Sequence, residues 1–199
     1  MIMFFVNMQL IKYNKRGILY MVKKTHSYGS LVFILIALPW INFFFFKEYN
    51  FIYRVVLICT TIYFADFGSL LPDTDLRSSD INKRYPILFK YIGKKCRHRG
   101  ETHSLLCFGI IAFLLSYLVK YTDYNVAFLS ASIGLLIGYA SHLILDLFTK
   151  DGIELFYPCK INIFLWRMKT NSKSEKRLCK LLYYCSLLLL LYDVYVLFL

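Results

Sequence analysis

Five apolar runs, each close to the ~20 residues needed to cross a ~30 Å hydrocarbon core, set what this chain can fold into. They extend from about Tyr28 to Phe46, Phe51 to Leu71, Ser104 to Val119, Val126 to Phe148 and Tyr183 to Leu199. In lipid a backbone must satisfy its own N–H and C=O groups, so runs of this length are helices. Pro39 interrupts the first run but is tolerated in a membrane helix as a kink. The expected fold is all-α: a polytopic membrane bundle of about five transmembrane helices.

The formal net charge of +12 is distributed by topology. Lys12, Lys15, Arg16, Lys23 and Lys24 precede the first run, and both the Pro72–His103 and Thr149–Leu182 connections are strongly basic. The intervening connections, 47–50 and 120–125, are nearly charge-balanced. The positive-inside rule then places the N-terminus and both basic connections in the cytoplasm, with the C-terminus outside. Basic residues in the gaps between apolar runs, rather than on a soluble surface, argue against nucleic acid and for anionic lipid head groups as the electrostatic partner. The first run is long for a signal peptide and no small-residue cleavage pattern follows it. Six cysteines without a CxxC pair, in apolar runs or cytoplasmic segments, predict no disulfide framework. Cys96 is a weak candidate ligand beside His98.

The polar chemistry gathers at one level. His26 sits at the entry to the first run, and Asp73 and Asp75 of LLPDTD at the exit of the second. His98 and His103 of HRGETHS precede the third run, while His142 and Asp146 close the fourth, with Asp151 just beyond. Imidazole with carboxylate is a usual ligand set for zinc and other transition metals. His142 and Asp146 are four residues apart and share a helix face. The same stripe runs back through Gly138, Gly134 and Ser130, small residues that admit a neighbouring helix closely. Arg97 and Arg99 flank the HRGETHS histidines and suit bidentate contact with a phosphate. Asp66, ionisable within a run, is a functional suspect. Singly, each feature has an ordinary explanation as an interfacial residue, turn or cap; their coincidence at one membrane face points to a metal site.

The blocks GSLLPDTDLRSSD, HRGETHSLL and GYASHLILDLFTKDGIELFYP resemble the signatures of the YdjM-like family of predicted membrane-bound metal-dependent hydrolases. THSYG at 25–29 resembles that family's opening block, and Met21 reads as a natural start, leaving residues 1–20 as an upstream extension or a short interfacial helix. The likeness covers about residues 21–160 and leaves out 161–199, a basic cytoplasmic segment plus the last transmembrane helix. It implies a helical inner-membrane protein with hydrolase activity, and His26, Asp73, Asp75, His98, His103, His142 and Asp146 as the residues that matter. The HxxxD pair is also similar, more distantly, to that of zinc-dependent phospholipases C and single-strand nucleases.

The expected activity is hydrolysis of a phosphoester, in a lipid or lipid-linked substrate, at the cytoplasmic membrane face. The expected cofactor is a divalent metal: Zn²⁺, with Mn²⁺ or Mg²⁺ as alternatives. Asp73 and Asp75 are candidate general bases or metal bridges, and Arg97 and Arg99 candidate phosphate contacts. The rival reading is a non-catalytic metal-binding membrane protein, acting as sensor, transporter or scaffold. A transporter would carry broken helices with polar residues near mid-bilayer, and beyond Asp66 this chain has few.

Overall fold

A computed structural model describes residues 19–97 and 99–198; residues 1–18, His98 and Leu199 lie outside it. The expectations attached to the N-terminal extension and to His98 therefore fall outside the described residues. Helix α1 spans Leu19–Ile41 with Pro39 inside it, and a π-helical turn, Asn42–Phe46, continues it. A proline cannot donate to the helical ladder, and a wider turn beside it re-registers the backbone. Helix α2 spans Phe51–Gly68, N-capped by Asn50, whose side chain accepts from Tyr53 N. Two short helices, α3 (Asp80–Arg84) and α4 (Pro86–Tyr91), fill the basic connection that follows. Helices α5 (Leu105–Tyr121), α6 (Val126–Leu147) and α7 (Lys173–Phe198) complete the chain. Among the described residues the only β pairing is two isolated bridges in the 149–168 segment.

Among the described residues, four stretches are long and apolar enough to cross a membrane: Lys24–Phe46, Phe51–Asp75, Val126–Leu147 and Lys173–Val196. The third expected span, α5, is apolar but only 17 residues long. The last helix begins at Lys173, ten residues before the apolar run does. Its start is fixed by Ser172, whose hydroxyl accepts from Glu175 N at 3.3 Å, while the Glu175 carboxylate accepts from Asn171 N. This reciprocal arrangement is close to a capping box, and it draws a charged segment into the helix.

The α2–α6 contact is the most extensive between helices, and glycine makes it possible. A Cβ on Gly138 would lie 1.9 Å from Ala65 O, and one on Gly134 2.2 Å from Thr61 O. From the other side, a Cβ on Gly68 would lie 2.2 Å from Leu135 O. The two backbones thus touch along the stripe that ends in His142 and Asp146. Helix α1 packs on both α6 and α7. Its inner face, with Ile34, Leu35 and Leu38, joins Leu57 and Ile58 of α2 in the apolar core. Exposed aromatic and aliphatic side chains such as Trp40, Phe44, Ile52 and Phe113 cover the outside of the bundle, as a lipid-facing surface requires.

Candidate metal centre

Successive long helices alternate in direction, so the start of α1, the end of α2, the start of α5 and the end of α6 meet at one end of the bundle. Four side chains form a cup there. His103 Nε2 and His142 Nε2 are 3.3 Å apart. Asp146 Oδ2 lies 3.4 Å from the first and 3.5 Å from the second. Asp73 Oδ1 closes the other side at 3.9 and 3.8 Å. His26 stacks on His142, with ring centroids 3.9 Å apart, and sets its Nε2 3.5 Å from Asp146 Oδ1.

The two facing imidazoles have their orientation imposed from behind. His142 Nδ1 is 2.6 Å from the Ser69 carbonyl oxygen. A carbonyl only accepts, so this nitrogen carries a proton and the ring turns its Nε2 edge into the cup. His103 Nδ1 lies 3.3 Å from Asp75 Oδ2 and 3.1 Å from Thr102 Oγ1. Asp75 Oδ2 also accepts from Arg99 N at 2.9 Å and Thr102 Oγ1 at 3.0 Å. Tyr139, one helical turn before His142, donates its hydroxyl to Thr102 O and fixes the 101–103 turn against α6. Carboxylate or carbonyl behind a histidine is the arrangement that holds a metal-ligating imidazole in one tautomer.

What such a cup can hold follows from its donor set. Two imidazole nitrogens lie within 4 Å of each other and of two carboxylate oxygens in this buried cup, the donor types a divalent cation takes. The ligand atoms of His26, His142 and Asp146 lie within 4.8 Å of one another, as do those of Asp73, His103 and His142. His26 Nδ1 and Asp146 Oδ1 are buried and have no hydrogen-bond partner. Both groups carry the nitrogen and oxygen ligands that zinc and similar divalent ions take.

The candidate residues therefore separate by position. His26, Asp73, His103, His142 and Asp146 converge. Asp75 stands one layer back, behind His103, and His98 lies outside the described residues. Arg99 reaches the cluster: its Nη2 is 3.6 Å from Asp146 Oδ1, and its Nη1 donates to Thr149 Oγ1 at 2.8 Å. Arg99 adopts φ 62°, a left-handed conformation that turns its side chain inward while its N–H reaches Asp75. Arg97 points the other way, half exposed and paired with Glu154 at 2.7 Å and with Glu101. Burial alone would raise the Glu101 carboxyl, but its own backbone N–H, with the Arg97 amide and guanidinium, holds it below its ordinary value. Asp66 is partly exposed on α2, outside both ligand groups, and Cys96 is free and outside them as well. Asp151 is exposed at the rim, 3.6 Å from Arg99 Nη1.

Ser69, Thr102 and Tyr139 did not stand out in the sequence as site residues. Each lies inside a motif block, one to four residues from a histidine or aspartate, and that proximity was the available signal. Glu175 was hidden further away. It accepts from Thr25 Oγ1 at 3.2 Å and so ties α7 to α1 beside His26.

The family profile described as YdjM inner membrane protein matches residues 21–198. The match runs through α7, beyond the 21–160 that the motif blocks cover; the packing of α7 on α1 and the Glu175–Thr25 bond give that helix a structural place in the bundle. Uncharacterized protein YvsG of Bacillus subtilis is 43% identical over 110 residues, 55% of this chain and 64% of that one. Inner membrane protein YdjM of Escherichia coli is 34% identical over 100 residues, 50% of this chain and 47% of its own length. These alignments thus span between about half and two thirds of the relatives' lengths. No solved structure matches the chain.

Proposed function

The chain belongs to the YdjM inner membrane protein family, and from that premise we propose that it is a membrane-bound, metal-dependent hydrolase of phosphoesters. The observation that carries the reading is the convergence of five ligand-type side chains from four separate segments, with the backs of two imidazoles already occupied. Such preorganisation suits a bound divalent ion, and His26 Nδ1 is buried beside it without a hydrogen-bond partner. His26, Asp73, His103, His142 and Asp146 would hold the metal, with Zn²⁺ the best match to the donors and Mn²⁺ or Mg²⁺ the alternatives. Bound there, the ion supplies Lewis acidity toward a phosphoryl oxygen and an acidified water.

The protein's own groups take distinct roles in this proposal. Asp73 is the most exposed of the five, with 25% of its side chain accessible, against 0–6% for the others. It is the carboxylate placed to meet incoming water and accept its proton. Arg99 keeps a guanidinium beside Asp146 and within reach of substrate phosphate. Asp75 and Ser69 O hold His103 and His142 in register, and Arg97 braces the 97–101 turn against Glu154.

The cup lies where membrane-crossing helices end, so a head-group phosphoester reaches it without leaving the interface. The basic connections at this end favour the cytoplasmic face by the positive-inside rule. The test is metal analysis of detergent-purified protein, followed by hydrolysis of an aryl phosphodiester and of a short-chain phospholipid with Zn²⁺ or Mn²⁺ added. Metal-dependent hydrolysis lost in His142→Ala supports the proposal. Stoichiometric metal without hydrolysis of either substrate favours the non-catalytic metal-binding reading, and absence of metal overturns both.

A further inference from the structure

The segment from Phe156 to Lys169 carries exposed apolar side chains where no helix spans. Ile161, Leu165 and Trp166 are 68, 63 and 68% exposed, and Phe156 and Phe164 are exposed beside them. Lys160, Arg167 and Lys169 are exposed among them, and the segment contains no acid. The Arg167 guanidinium lies over the Phe164 ring at 5.2 Å from its centroid, so charge and apolar surface are displayed together. Its backbone is pinned: Ile163 and Ile153 exchange two hydrogen bonds, Leu165 N donates to Leu147 O at 2.6 Å, and Met168 N to Phe148 O at 3.2 Å. A pinned loop showing this much apolar surface to water is costly unless something covers it.

We infer that the 156–169 strap is an interfacial anchor that lies in the head-group layer and binds anionic lipid. Two observations select the bilayer as its occupant. The strap is continuous with the lipid-facing helices, because it bonds to the end of α6, where Ile144 and Phe148 are exposed. At its base, Leu155 O accepts from Leu105 N at 2.9 Å, beside exposed Leu105 and Leu106 of α5. Three cations without an acid complement an anionic surface, and tryptophan with basic side chains is the composition that settles at such a boundary. The anchor is independent of the metal chemistry and holds the mouth of the cup at a fixed depth.

The chain has two tryptophans, Trp40 and Trp166, so Trp40→Phe leaves Trp166 as sole reporter. The full chain is reconstituted into phosphatidylcholine vesicles with and without phosphatidylglycerol. With the anionic lipid present, Trp166 emission should shift to the blue, lose acrylamide quenching and gain quenching by phospholipids brominated near the head group. Replacing Lys160, Arg167 and Lys169 by Gln should remove the difference between the two vesicles. Trp166 equally open to acrylamide in detergent and in both vesicles overturns the inference. So does lipid quenching indifferent to phosphatidylglycerol and to the triple variant. Shielding in native membranes alone would point to a protein partner and overturn it too.

Discussion

His103 and His142 each commit one nitrogen to the protein, and that commitment ranks the residues around them. Asp75 has Oδ2 occupied by Thr102, the Arg99 amide and the back of His103, so its effect on metal passes through the imidazole. Asp75→Asn should therefore weaken metal affinity by about 10–100-fold while leaving the protein folded, the usual cost of losing a supporting carboxylate. His142→Ala removes a donor shared by both ligand groups and should abolish binding at the same metal concentrations. Titration with Zn²⁺ against a competing chelator separates the two outcomes, and equal affinities for Asp75→Asn and the parent would return Asp75 to the periphery. The arginines divide in the same way. Arg97 makes exposed ion pairs, typically contributing at most about 1 kcal/mol, so Arg97→Gln should leave metal content unchanged. Arg99→Gln removes the guanidinium beside Asp146 and should raise metal affinity, because one competing cation is gone, while slowing any phosphoester hydrolysis. Calorimetry and turnover on the same preparation read both effects.

At the scale of elements, the depth of the cup is a matter of helix length. From Tyr121 back to Leu105 and from Val126 on to His142 are both sixteen steps, each rising about 24 Å at ~1.5 Å per residue. The shortness of α5 thus brings His103 to the level of His142, a turn inside the end of α6. The glycine stripe does the lateral part, since only backbone contact between α2 and α6 lets His142 Nδ1 reach Ser69 O. Gly138→Ala should separate the helices at that point, destabilise by about 1–3 kcal/mol as overpacking does, and lower metal affinity with it. Gly109→Ala on α5 meets nothing within 4 Å and serves as the control. Thermal unfolding in detergent with parallel metal analysis checks this; equal midpoints for the two variants would remove the packing argument. The stripe and the HxxxD pair were legible in the sequence because a helix repeats its face every three to four residues. The division between Asp73 and Asp75 was not, since two acids in one tight turn differ only by which way that turn faces. Nor was the inward turn of Arg99 against the outward turn of Arg97, which depends on one left-handed residue. The helical start at Lys173 was masked by charge, although Ser172 and Glu175 carried its cap.

For the whole molecule, the alternation of apolar runs and basic connections fixed the bundle, while which face of the membrane receives the cup rests on charge alone. Every strongly basic connection lies at the cup's end, and the opposite end offers only the short 47–50 and 120–125 connections. Moving the cationic end outward would carry that charge against both the membrane potential and the anionic inner leaflet, at about 1 kcal/mol per residue near the surface for the latter alone. The cup should therefore face the cytoplasm. Glu48 is 84% exposed in its side chain at the far end, and Thr170 is exposed beside the cup. In a background with the native cysteines replaced by serine or alanine, Glu48→Cys should react with a membrane-impermeant maleimide in intact cells. Thr170→Cys should react only after the membrane is opened. The opposite pattern would place the cup outside the cell and reverse the orientation of all the spans, while leaving the geometry of the five converging side chains untouched.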